Sequence, residues 1–443
     1  MKKILILTVL LFSIFGNAQQ TTPQTYSFSL EQAISHALTN NYSAINANRA
    51  IAISKQKKRE TTAMGLPQVN AGVGYQNFLK QPITLADFNQ DGINEEFVFG
   101  TKQNMNANVT LNQLLFDGSY IVALQASKTY LKFFENAKQK NDTEIREMVI
   151  NSYGNVLLAE ESILIFEKNK TILEKTLFDT KETFKNGLIE EENVEQLQIT
   201  LASVISNLNN VKRLKDIAYK MLKINLGIEI TSDLKLTDKL DTLAKTNLDL
   251  SLSQNEFEIN NNADYKMILN FEEQRKLELK LEKSKYLPSL SSFVNYGATA
   301  NNDKFNFFNN NQKWFDSSLL GINLNVPIFS GFARSARTQQ AKIALDQAKT
   351  QLTETEQKIK LQYENAKSQF EFSVEQYNTS KSNLSLAERI EKKQQIKFKE
   401  GLSSSFDFTE AQRQLYTTQQ TYLQSMVDVI TKKASLEKII NKQ

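Results

Sequence analysis

Two hydrophobic periods alternate along the chain. Residues 29–63 carry apolar positions at helical spacing, and Ser29 with Gln32 three residues later forms the signature of a capping box at the start. The period then drops to two. Val69, Ala71, Val73 and Tyr75 alternate with polar residues and glycine over 68–78, and Met105, Ala107, Val109 and Leu111 do the same over 105–112. Leu290, Val294, Tyr296 and Ala298 form one face of 289–299, and Leu320, Ile322, Leu324, Val326 and Ile328 one face of 319–328. These four stretches are expected to be strands with one apolar and one polar face. Between and after them lie long segments, 119–185, 332–398 and 406–441, in which Gly154 is the only glycine and proline is absent; they are expected to be helices. The first two would each reach about 100 Å at 1.5 Å per residue.

The pattern is written twice. FKNGLIEEENVEQLQITL at 184–201 returns as FKEGLSSSFDFTEAQRQL at 398–415, so that Phe184, Gly187 and Leu188 correspond to Phe398, Gly401 and Leu402. Upstream, VTLNQLLFDG at 109–118 matches INLNVPIFSG at 322–331. Such self-similarity marks an internal duplication. Leu66-Pro67 and Leu287-Pro288 mark the two helix-to-strand crossings, because proline lacks a donor and disfavours helical geometry at the residue before it. Gly187 and Gly401 end long helices, where a positive backbone angle is often needed. Along the second long helix, Leu345, Ala348, Leu352, Ile359, Ala366, Phe370, Val374, Tyr377, Leu384 and Ala387 recur at intervals of three, four or seven, a coiled-coil seam.

Composition removes several classes of function. Lys2 and Lys3 precede an apolar run from Ile4 to Phe15 and the small residues Gly16-Asn17-Ala18, so residues 1–18 are expected to be a signal peptide cleaved before Gln19. The run is too short for a helical anchor. Without the two leader lysines the net charge falls from +4 to about +2, 51 basic against 49 acidic residues, and no basic block points to nucleic acid. The chain has no cysteine and one histidine, His36, which excludes disulfides, thiol chemistry and a shared histidine metal site. No phosphate loop or nucleophile elbow is present, so neither an enzyme nor a cofactor is expected.

Alternation alone does not separate a lipid-facing strand from a soluble sandwich. The polar faces here are asparagine, serine and glycine rather than charged, as suits a water-filled lumen. Strands of about ten residues, tilted, match an outer-membrane apolar band of about 25 Å. Four strands cannot close a barrel, and open edges are not tolerated in lipid, so other copies would have to complete the ring.

The order of helix, strand, strand and helix in both halves, with the Leu-Pro crossings, the Phe-Asp-Gly and Phe-Ser-Gly strand ends and the twin Phe-x-x-Gly-Leu turns, resembles the TolC family of outer membrane efflux proteins from about residue 28 onward. The resemblance implies a mainly α chain with a membrane β-barrel: a homotrimer sharing a twelve-stranded barrel in the outer membrane, above a long coiled-coil tunnel in the periplasm. A periplasmic adaptor and an inner-membrane RND or ABC transporter would dock on that tunnel, which would serve as the passive exit duct of a tripartite efflux or type I secretion system. Asp407 and Glu410, three apart on one helix face, match the family's paired acidic positions at the periplasmic entrance, and a trimer would gather six carboxylates there. On sequence alone a helix cap fits Asp407 equally well, with Ser403, Ser404 and Ser405 beside it; the resemblance favours the ring. Two positions depart from the family pattern: Ser403 stands where an arginine is common, and Asn193 where an acidic partner is expected. The corresponding salt bridge is therefore not expected, and Glu190, Glu191 and Glu192 make the first tip acidic instead.

The chain accordingly divides into a first repeat, 19–227, a polar linker, 228–262, that the resemblance places in an equatorial belt, and a second repeat, 263–443. The external connection 79–103 holds Asp87, Asn89, Asp91 and Gly92 in the order that opens a calcium loop, but position twelve is Val98, which favours a solvated turn. In the other connection, 300–317, Phe305, Phe307, Phe308, Trp314 and Phe315 fit either an interfacial girdle or loop packing. The competing reading of the whole chain is a periplasmic coiled-coil scaffold or adaptor whose strands form a soluble domain.

Overall fold

The computed structural model describes residues 25–87, 92–254 and 256–441. The expected signal peptide, and Asn89 and Asp91 of the calcium-like loop, lie outside them. In chain order the elements are β1 (Thr25–Phe28), α1 (Leu30–Asn40), α2 (Tyr42–Ala63), β2 (Gln68–Asn77), β3 (Ile83–Ala86), β4 (Glu95–Val98), β5 (Gln103–Asp117), α3 (Gly118–Lys185), α4 (Glu191–Leu226) and β6 (Asp233–Leu236). Then follow α5 (Leu240–Thr246), α6 (Ser251–Gln254), α7 (Ala263–Ser284), β7 (Ser289–Asn302), β8 (Phe315–Asn325), α8 (Ala333–Lys399) and α9 (Ser405–Ile440). Residues 1–49, 136–266 and 354–443 make one compact unit, and residues 50–135 and 267–353 another.

The first unit is helical and buries its own apolar residues. Ile34, Tyr153, Leu226, Leu240, Phe370 and Val429 meet in one core, and Leu173, Leu197 and Phe408 in a second. The expected seam is present: Ile359, Phe370, Val374, Tyr377 and Ala387 of α8 are buried at that spacing. Residues 228–262 are not the linker that their polarity suggests. β6 pairs in parallel with β1, Thr25 facing Asp233 and Phe28 facing Leu236, while Leu234, Leu240, Ala244 and Leu252 join the main core. The Tyr153 hydroxyl lies 3.1 Å from both the Phe28 carbonyl and Asp238 Oδ2, and Asp238 also accepts the Leu30 backbone N–H at 2.7 Å. Burial raises the pKa of Tyr153, so this phenol stays a donor.

The helix expected over 29–63 is two helices. Ser29 and Gln32 do form the capping box, but at Asn41 ψ turns to 138°, outside the helical region. The Asn41 side chain donates to the Asn225 carbonyl at 2.7 Å and accepts the Ser43 N–H at 2.7 Å, so one amide ties down the end of α4 and restarts the next helix. His36 is a half-buried ring against Phe28, centroids 5.0 Å apart, and burial lowers its pKa.

The second unit holds an antiparallel sheet in the order β2-β5-β7-β8. Its register collects the apolar positions of all four strands on one face: Val69, Leu111, Val294 and Leu320 stand in one row, and Ala71, Val109 and Tyr296 in the next. The opposite face is a polar row structure, with Asn70, Thr110 and Asn295 in one rung and Asn104 beside Asn301 in another. Side chains bond across it, Asn295 Nδ2 to Thr110 Oγ1 at 2.6 Å and Asn104 Nδ2 to Asn301 Oδ1 at 2.7 Å. The register shifts between Leu114 and Phe116, placing Phe116 opposite Leu290 and so on the apolar face. Among the described residues no helix is long and apolar enough to cross a membrane.

Candidate functional site

Two regions carry the chemistry that the sequence singles out, the sheet and the helical tips. In the sheet, Val69, Val73, Val109, Val294, Leu320, Ile322 and Leu324 are all exposed on the apolar face. Among the described residues no segment covers them, and β2 and β8 are open edges with no strand beyond. A protein core is thus not what the apolar face meets within one chain. At the outer end the connection 303–314 does pack inward: Phe307 is buried with Met105, Ala300 and Trp314, and Phe305 meets Tyr75 edge-on at 5.4 Å. Phe308 and Phe315 remain exposed, so this connection combines loop packing with an exposed aromatic fringe. The connection 79–103, expected as a turn, adds the small β3–β4 ladder. There Asp87 Oδ2 accepts the Gly92 N–H at 2.8 Å, and no group of three potential metal ligands is found among the described residues.

At the inner end both crossings are built alike. Leu66 N–H bonds to the Ala63 carbonyl at 3.0 Å and Leu287 N–H to the Ser284 carbonyl at 3.0 Å, after which Pro67 and Pro288 lead directly into β2 and β7.

The tips also match each other. Gly187 and Gly401 both have φ of 71°, a left-handed stop that only glycine adopts cheaply. Gly187 N–H bonds to the Phe184 carbonyl and Leu188 N–H to Thr183; Gly401 and Leu402 repeat this with Phe398 and Lys397. The turn throws Leu188 and Leu402 outward, 74% and 77% exposed. Phe184 is exposed, whereas Phe398 stacks on the buried Phe408 with centroids 5.3 Å apart.

The two acidic positions have local partners within one chain. Asp407 is the third residue of a capping box: Ser404 Oγ accepts its N–H at 3.1 Å, and its carboxylate accepts the Ser404 hydroxyl at 2.8 Å. Glu410 receives Arg413 Nε at 2.9 Å and Nη2 at 2.5 Å, and these bonds lower its pKa. Both side chains are exposed. In a single chain, then, the cap reading holds for Asp407, and Glu410 is not pushed upward as a crowded carboxylate would be. Arg413 escaped the sequence reading, although its place three residues after Glu410 on one helix is the signal for such a pair. Asn193, neutral where an acid was expected, uses Oδ1 to accept the Ser405 N–H at 3.2 Å, so the first tip bonds to the start of α9 without charge. Glu391, half-buried on α8, has its pKa raised by burial.

The chain is similar to known proteins. The profile of the outer membrane efflux protein family matches residues 269–442. That stretch of the chain is similar to outer membrane efflux proteins. The likeness extends further: the proteases secretion protein PrtF of Dickeya chrysanthemi is 23% identical over 370 residues, 79% of this chain and 73% of that protein. The outer membrane protein TolC of Vibrio cholerae is 23% identical over 338 residues, 75% of this chain and 68% of TolC. The crystal structure of the outer membrane protein VceC from Vibrio cholerae superposes with a TM-score of 0.73, covering 93% of this chain and 96% of VceC at 14% identity. That fold thus extends over nearly the whole chain, including the residues that the profile does not reach.

Proposed function

We propose that the chain is the outer-membrane duct of a tripartite efflux or type I secretion system, a passive exit for substrates delivered by an inner-membrane RND or ABC pump through a periplasmic adaptor. One observation carries the reading: a four-stranded sheet presents an in-register apolar face to the outside and a neutral, asparagine-rich face on its other side, with both edges open. In lipid every backbone group needs a partner, so the open edges call for further copies, and three copies of four strands give the twelve-stranded ring of a homotrimer. The apolar face then meets outer-membrane lipid. The polar face, asparagine and threonine without charge over its middle rungs, lines water and leaves selection to the pump. PrtF, by its name, serves protease secretion, which supports the secretion branch as readily as drug efflux. The exposed Leu188 and Leu402 at the glycine turns suit contact with the adaptor.

At the periplasmic entrance, Asp407 and Glu410 of three chains would form an acidic constriction that favours cations. A scaffold without membrane insertion is the weaker reading, since it leaves the apolar face uncovered. Planar-bilayer recording of the purified mature protein separates the two. The duct gives small cation-selective currents blocked by millimolar divalent cations, and the block is lost when Asp407→Ala and Glu410→Ala are combined. Absence of insertion, from a protein soluble without detergent, would establish the scaffold; unchanged block in the double variant would remove the acidic ring while leaving the duct.

A further inference from the structure

We propose that the helix ends beside the sheet form a basic collar that binds the headgroups of anionic phospholipids in the leaflet on the helical side. The proposal rests on the membrane reading of the sheet. Four helix ends meet the strands: the last turns of α2 and α7, and the first turns of α3 and α8. The eleven helical residues nearest the sheet in each, with the crossings 64–67 and 285–288, contain thirteen lysines and arginines and three glutamates. These stretches therefore carry +10 in a chain whose total is +4, leaving −6 for everything else. The opposite end of the sheet has no such excess: 79–103 holds two lysines against four acids, and 300–317 holds two of each.

Some of the collar's cations are paired along their own helices, as in Lys57–Glu60 and Arg275–Glu278. Others are not. Lys55, Lys58, Arg59, Lys283, Arg337 and Lys342 have no carboxylate within 4.0 Å among the described residues. All but the half-buried Lys58 are exposed. They lie within about 15 Å of the helix ends nearest the sheet, measured along the helix axes. Between them and the apolar band stand exposed Leu66, Leu287 and Phe329, which suit acyl chains. Cations that lack carboxylate partners, next to an apolar rim and on one side only, complement a layer of lipid phosphates. Arginine adds the bidentate geometry that phosphate oxygens accept.

The test uses the full mature protein reconstituted in bilayers of equal phosphatidylglycerol and phosphatidylcholine, then extracted gently so that its bound lipid can be counted. A cation at the surface of an anionic membrane changes affinity about five-fold, so the retained lipid is expected to be enriched in phosphatidylglycerol at least about five-fold at 0.1 M salt. Enrichment should fall toward parity at 1 M salt. It should also fall in each of two triple variants, Lys55→Gln with Lys58→Gln and Arg59→Gln, and Lys283→Gln with Arg337→Gln and Lys342→Gln; the changes are at surface positions and leave the sheet intact. Equal retention of the two lipids by the unaltered protein, or undiminished enrichment in both variants, would overturn the collar while the duct stands. A chain that recovers no lipid at all and needs no detergent would remove the membrane reading and the collar with it.

Discussion

The motif that the chain writes twice at its strand ends has two different structures. In LLFDG, β5 stays paired with β7 and its ladder runs to Asp117, whose carboxylate accepts the Ser119 N–H at 2.6 Å as α3 begins at Gly118. In PIFSG, β8 is paired on one side only and its ladder stops at Asn325. The following segment reaches α8 through two left-handed residues, Gly331 at φ 57° and Phe332 at φ 65°. Arg334 holds that passage, donating to the Pro327 carbonyl and to Ser330 Oγ at 3.0 Å each. The side chains follow: Phe116 is 40% exposed, whereas Ile328 is 91% and Phe329 76% exposed. Similar sequences part ways: the first stays on its ladder up to the next helix, and the second leaves its ladder at Asn325.

The largest effect that bears on this comparison comes from charge on the apolar face. Leu111→Arg in β5 and Leu320→Arg in β8 should each destabilise the inserted protein by about 2–4 kcal/mol, while Thr110→Arg and Asn323→Arg on the polar face should cost much less. Urea unfolding from lipid vesicles reads the difference. Were the apolar face to meet a partner protein in water rather than lipid, insertion itself would fail in all four.

Next come the two glycines. A Cβ at Gly118 would stand 2.8 Å from Leu287 Cδ1 and 3.3 Å from the Ser284 carbonyl oxygen, whereas one at Gly331 meets nothing within 4 Å. Gly118→Ala should therefore cost about 1–3 kcal/mol through overpacking, and Gly331→Ala about 1–2 kcal/mol through its left-handed backbone alone. The two mechanisms separate on further enlargement: Gly118→Val should be much worse than Gly118→Ala. Thermal melts of the four proteins decide it.

The tips repeat the contrast on a smaller scale. The α9 start is closed by the Ser404–Asp407 capping box, but Glu190 before α4 makes no side-chain cap. Ser404→Ala should cost about 1 kcal/mol and Glu190→Ser should gain about 0.5–1 kcal/mol, seen as opposite shifts in the melting midpoint. The pH dependence is finer still. Burial raises the pKa of Glu391, so its contribution to stability is present below the unfolded value of about 4.3 and is lost as pH rises. Glu391→Gln should then raise the midpoint at pH 7, with the gain gone by about pH 4. Glu410 has the opposite sign, because Arg413 lowers its pKa: its small contribution is present at neutral pH and fades as pH falls. A Glu410→Gln variant more stable than the parent at pH 7 would contradict that pairing.

Much of this was legible in the sequence because it is local. Alternation over ten residues located the strands, glycine located the tips and proline the crossings, each by a rule that needs no partner. What escaped depends on distant residues. The β1–β6 pair joins residues about two hundred positions apart, so 228–262 looked like a linker. The break at Asn41 is held by a bond to Asn225, and its flanks are helical on either side. The Asn193–Ser405 bond joins the two tips within one chain, where composition showed only a missing acid. Asp407 was ambiguous for a different reason. A cap can be seen in one chain, and a ring needs three.

On the duct reading the sheet stands between lipid and water, and the absence of cysteine lets each position be probed singly. Single cysteines at Leu320, Gly321, Ile322, Asn323 and Leu324, in protein reconstituted in lipid vesicles, would be challenged with a water-soluble maleimide. The account predicts period-two labelling, with positions 321 and 323 reacting and positions 320, 322 and 324 protected. Uniform labelling along β8, or protection of all five, would contradict it.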